Sequence, residues 1–159
     1  MSYEIADEPM PASGFENLVF QPSAPLLGMM WCGAWLAWPW FIVNSIAMGS
    51  PSARREIQLC IAGFAGTAVL ALVVFGLVDA GIIESKLALQ IALLGVVAFK
   101  LGIAYAVSTI QARTFHVYTY YGGAVQRAMY VLVVGSYLRD IVLGVSEHPV
   151  WRIVLSGGW

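Results

Sequence analysis

SKLALQIALLGVVAFKLGIAYAVSTI, residues 85–110, decides the class of this protein: twenty-six residues in which the only charges are Lys86 at the start and Lys100 near the middle. As a helix rising 1.5 Å per residue the segment is about 39 Å long, enough to cross a hydrocarbon core of about 30 Å. Three more apolar runs flank it, at about Pro25–Met48, Gln58–Val78 and Gln126–Val145. The chain as a whole is 60% hydrophobic and 11% charged, with a mean hydropathy of +0.79, far from the balance of a soluble domain. The expected fold is all-α, a polytopic membrane protein with a bundle of four transmembrane helices over residues 25–145.

The segments outside the spans are short. Residues 1–24 are polar and broken by Pro9, Pro11, Gly14 and Pro22, which predicts an extended arm with little helix. Glu4, Asp7, Glu8 and Glu16 give this arm the opposite charge to the basic start of a signal peptide, so the first span is expected to be retained. Pro39 predicts a kink inside that span. Ser52 is a candidate N-cap for the second helix, with Glu56 one place later than a capping box requires. The stretch TFHVYTYYGG, within an expected connection at 111–125, resembles the aromatic belt of a membrane interface, and residues 146–159 read as an interfacial tail anchored by Trp151 and Trp159.

Arg54 and Arg55 lie in one connection, and Arg113 and Arg127 flank another, against Lys86 and Arg152 on the other side. The excess of Lys and Arg predicts that the 54–55 and 111–127 loops are cytoplasmic and both termini outside. The net charge of −1 and the scatter of the eight basic residues exclude a nucleic-acid partner. Cys32 and Cys60 lie in apolar runs without a CxxC pair and read as small hydrophobes. No Ser-His-Asp order, HExxH run, phosphate-binding loop or GxGxxG fingerprint is present, so an enzyme, a metal centre and catalytic residues are not expected. His116 and His148 fall outside the expected spans, where axial ligation of a haem or chlorophyll is disfavoured.

Three features remain as candidate sites. Lys100, Arg139 and Asp140 form an intramembrane charge cluster, and each charge at that depth costs about 2.5–3.5 kcal/mol unless it finds a partner. Depths of about 14 Å for Lys100 and about 21 Å for Asp140 leave an offset that a lysine side chain spans, predicting a Lys100–Asp140 ion pair between neighbouring third and fourth spans. Gly95, Ala98, Gly102 and Ala106 recur at spacings of three, four and four, a smooth stripe suited to helix packing within the chain, with a weaker notch at Gly63 and Gly66. Trp31, Trp35 and Trp38 form a stripe on the first span, a face for a neighbouring helix, lipid, quinone or pigment. Asn44, Gln90 and Ser136 read as hydrogen bonders between helices.

PLLG at Pro25–Gly28, Asn44, MGSPSAR at Met48–Arg54, and then Gln111, Phe115, His116 and Gly122–Gly123 together resemble a loose group of small bacterial membrane proteins of unknown function. The resemblance implies a bacterial inner membrane and brings no activity with it. The leading functional expectation is a non-catalytic accessory subunit of a larger membrane complex, energy-converting, photosynthetic or transporting. An ion or solute conductor using Lys100 and Asp140 is the first alternative, and a quinone-, pigment- or haem-contacting subunit the second.

Overall fold

A computed structural model describes residues 18–145 and 148–156. Among these residues the structure is entirely helical: α1 Ser23–Trp31, α2 Ala34–Ala47, α3 Ala53–Asp79, α4 Lys86–Tyr120, α5 Met129–Gly144 and α6 Pro149–Leu155. The acidic arm and Trp159 lie outside the described residues.

The frame is the antiparallel pair of α3 and α4, with 27 and 35 residues and lengths of about 40 Å and about 52 Å. These two are long and apolar enough to cross a membrane. Small residues set their approach, since a Cβ on Gly63 would come within 2.9 Å of Ile103 and one on Gly66 within 2.8 Å of Phe99. The connection between them reverses at Gly81, whose φ of +70° suits glycine. α4 continues ten residues beyond the expected end at Ile110, because Gln111, Thr114 and Tyr118 keep the helical spacing and are buried against other elements. Residues 111–120 of the aromatic connection expected at 111–125 are therefore helix, and His116 is an exposed helical residue. The helix ends where Gly122 takes φ +82° and Gly123 lies under the Tyr118 ring with no room for a side chain.

The expected first span is two helices. α1 ends at Trp31, with the Cys32 and Gly33 amides both donating to the Gly28 carbonyl, at 2.8 and 2.9 Å, and Gly33 at φ 112° lets the chain turn back. α2 then runs antiparallel to α1. Phe20 stacks edge-on to Trp40 with centroids 5.3 Å apart, the Phe20 amide donates to Asn44 Oδ1 at 2.8 Å, and Gly28 faces the Trp40 ring. In one continuous helix, residues 28 and 40 would be about 18 Å apart. Pro39 leaves α2 unbroken. It interrupts one backbone hydrogen bond, while the reversal occurs six residues earlier, at glycine.

This α1–α2 hairpin seats on the frame, α1 against α4 and α2 against α3. Its core is Met29, Ala34, Ala37, Trp38 and Phe41 packed on Cys60, Ala104 and Val107, and Trp38 fills the notch at Gly63. Val19 and Met48, at the two feet of the hairpin, share a cluster with Tyr118, and the Gln126 amide donates to the Val19 carbonyl at 2.8 Å. The described chain thus begins at the same end as the loop before Arg54 and Arg55, where the expectation placed it at the opposite end.

α5, with 16 residues, is about 24 Å long and falls short of a full span. It lies on the outer side of the hairpin, with Gly135 pressed against Leu36 and Cys32. The expected interfacial tail contains α6, whose Val154 and Leu155 are buried against Ala71 with Trp35 alongside. A Gly63→Leu variant should lower unfolding stability by about 1–3 kcal/mol through overpacking at Trp38. Gly76→Leu, which faces open space, should change it by less than about 0.5 kcal/mol. Denaturant titration in detergent of both variants measures the difference.

Candidate functional site

Lys100 is fully buried, on the inward face of α4 between Val96 and Ala104. Its ammonium donates to the carbonyls of Ile153 and Ser156, at 2.9 and 2.5 Å. These are carbonyls of the last turn and C-cap of α6, groups that lack a donor of their own and carry the negative end of the helix dipole. The lysine therefore closes α6 onto α4 through charge-assisted bonds. The expected Lys100–Asp140 pair is replaced by this clasp. Asp140 is exposed on α5, and α5 packs against α1 and α6 and stands away from α4.

The space left between α4 and α5 is a cavity of about 440 Å³. Leu93 and Val97 of α4, Leu143 of α5 and Ile153 of α6 give it an apolar wall, while Arg139, Asp140 and Arg152 bring three charges to its lining. Of the three residues singled out in the sequence, Arg139 and Asp140 thus meet at one void, and Lys100 supports its α6 wall from behind.

The other two features separate. The reversal at Cys32–Gly33 divides the tryptophan stripe: Trp31 is 66% exposed at the end of α1, and Trp38 on α2 is 4% exposed against the frame. Trp35 donates to the Cys32 carbonyl at 2.8 Å. It also lines an apolar groove of about 340 Å³ with Tyr130, Val134 and Leu138 of α5. Among the described residues the small-residue stripe is largely uncovered, where packing within the chain was the expectation. Gly95 and Gly102 face open space, Ala98 is exposed and Ala106 half-buried. At 100° per residue the stripe lies roughly opposite the buried line Val96, Lys100, Ala104 and Val107. Gln90 and Ser136 are exposed, with Ser136 bonding back to its own helix.

A second polar cluster lies at the foot of the hairpin. Asn44 and Gln111 are fully buried and joined by one hydrogen bond: Asn44 Nδ2 donates to Gln111 Oε1 at 3.2 Å, and Gln111 Nε2 to the Phe41 carbonyl at 2.8 Å. Next to them Glu56, 1% exposed, accepts from the hydroxyls of Ser50 and Ser52 at 2.6 and 2.7 Å, and Ser50 lies 3.3 Å from the Thr114 hydroxyl. The sequence signal for Glu56 was its spacing from Ser52. Ser52 does stand at the N-cap, yet its hydroxyl serves the carboxylate and no backbone amide. His148 caps α6 through Nδ1, and no group of three His, Cys, Asp or Glu able to hold a metal occurs among the described residues.

Comparison with known protein families, with curated proteins and with solved structures finds no match for this chain.

Replacing Lys100 by Met should cost about 2–4 kcal/mol, because it takes the charged donor from two partly buried carbonyls, and should open residues after Gly144 to protease. Asp140→Asn should leave stability within about 0.5 kcal/mol of wild type. Equal losses in the two variants would instead indicate an ion pair between them.

Proposed function

We propose that this protein is a non-catalytic integral membrane subunit that packs against another membrane protein through the outward face of α4. The observation that carries this reading is the open stripe of Gly95, Ala98 and Gly102 on a helix long enough to span. Glycine in a helix interior costs about 1 kcal/mol relative to alanine. In lipid its compensation is the close approach of a second helix. Facing acyl chains alone, it brings nothing.

Membrane insertion is supported by what these helices expose. Ile61, Phe64 and Leu72 of α3, Leu87 and Ile91 of α4, and Ile141 of α5 all point away from the body. Such a surface is costly in water and neutral in hydrocarbon. In this setting α1–α2 is a re-entrant hairpin, tolerated because its turn is buried in protein with its polar groups bonded. The end bearing Arg54, Arg55 and Arg127 is assigned to the cytoplasm by its positive charge, and residue 18 lies on that side as well. Ion conduction through Lys100 and Asp140 loses support, since the ammonium is engaged by α6.

A photoreactive side chain placed at Ala98 in native membranes should crosslink to a different membrane protein, while one at Leu72 should label lipid only. Gly102→Leu should suppress the Ala98 adduct without lowering the chain's own thermal stability. Adducts with lipid alone, or solely with a second copy of this chain, would contradict the subunit reading.

The charged cavity favours a second reading, an amphiphile such as a lipid or quinone seated between α4, α5 and α6. Its volume of about 440 Å³ is within the usual range of small-molecule pockets. Native mass spectrometry should then show a bound amphiphile that is lost when Val97→Trp fills the void. Unchanged retention in that variant would remove the cavity as its seat.

A further inference from the structure

Glu56 is buried in an uneven environment. Among the described residues its hydroxyl donors, Ser50 and Ser52, reach Oε1, while Oε2 is buried with no hydrogen-bond partner. A second buried oxygen is in the same position: Ser45 Oγ, on a residue with no exposure, also has no partner. Register brings the two residues to the same level. Trp38 of α2 meets Gly63 of α3, and the helices are antiparallel. Seven residues, close to two turns, along each therefore bring Ser45 opposite Glu56. The Ser50 hydroxyl, bonded to Oε1, and, 3.3 Å from it, that of Thr114 add two oxygens, so that α2, the α2–α3 turn, α3 and α4 each bring an oxygen-bearing side chain, with the Cys60 thiol one turn along α3 from Glu56.

A buried carboxylate with one bare oxygen costs several kcal/mol unless a charge answers it. The flanking arginines, Arg54, Arg55 and Arg113, are exposed and leave Oε2 unmatched. We propose that Glu56, Ser45, Ser50 and Thr114 form a binding site for a single alkali cation of the Na⁺ class. The chemistry selects this ligand in two ways. An all-oxygen set suits a hard cation, and one carboxylate neutralises one positive charge, whereas divalent sites draw on more carboxylates or retained waters. A cation also satisfies two oxygens that fail to bond each other, by standing between them. Because its ligands come from the hairpin and from both frame helices, the ion locks the hairpin to the frame.

The test is thermal unfolding of the purified full-length chain in detergent at constant ionic strength, with NaCl or KCl replacing choline chloride. The wild type should show a rise in Tm that grows with the logarithm of the Na⁺ or K⁺ concentration once it exceeds the Kd, on the order of 5 °C at about a hundredfold excess. Ser45→Ala is the deciding variant, since that hydroxyl makes no hydrogen bond among the described residues. It should match the wild type in choline and lose most of the cation-dependent rise. Glu56→Gln should abolish the rise, and ²³Na line broadening by the wild type, absent in Ser45→Ala, reports the site even where Glu56→Gln folds poorly. A wild-type Tm identical in Na⁺, K⁺ and choline, or a rise undiminished in Ser45→Ala, overturns the proposal in favour of a bound water or proton.

Discussion

The reversal of the chain at Cys32–Gly33 is the constraint from which the remaining architecture follows. A helix that ends inside a protein leaves carbonyls and amides that must be bonded there, and the next helix begins with the same obligation. Here the Cys32 and Gly33 amides return to Gly28, the Trp35 indole takes the Cys32 carbonyl, and the Cys32 thiol donates to the Leu132 carbonyl on α5 at 3.4 Å. With the turn satisfied in this way, α1 and α2 stand side by side and present a broad apolar face. α3 and α4 cover one side of it, and α5 covers part of the other.

The same requirement explains the position of α6. The hairpin stops partway along α3, near Ala71, leaving a space that Val154, Leu155 and Trp35 fill. A short helix buried there brings its own unbonded carbonyls, and Lys100 supplies their donors. The buried charge of α4 is thus a structural clasp whose partner is backbone. At the opposite end, Asn44 and Gln111 hold the feet of the hairpin with every amide group bonded, while Glu56 and Ser45 keep one oxygen each in reserve. One end is closed by side chains that satisfy each other, and the other by a lysine answering a helix end.

Much of the frame was legible in the sequence. Hydropathy and length located α3 and α4, and the Asp79–Gly81 turn between them was read correctly. The small-residue notch at Gly63 and Gly66 was also visible, because glycine on a packed face leaves a recognisable spacing. The first span was misread because its apolar run is continuous in composition, and the only visible breaker, Pro39, sits where a helix tolerates it. Gly33 in an apolar run does not announce a left-handed φ. The partner of Lys100 was invisible for a different reason: backbone carbonyls have no residue letter, so a search for acids settled on Asp140. Glu56 stood close enough to Ser52 to be noticed, yet its burial depends on the seating of a hairpin that the sequence pattern did not reveal.

The hairpin is best tested by a distance. Nitroxide labels at Gln21 and Ile46, both exposed, stand near the two feet, with the native Cys32 and Cys60 buried. A hairpin holds their backbones at the separation of packed neighbouring helices, on the order of 10 Å. Strong dipolar broadening in detergent or bilayers is the expected result. A well-resolved distance of about 37 Å, the length of twenty-five residues in one continuous helix, would contradict the reversal and with it the account of α5, α6 and Lys100 built upon it.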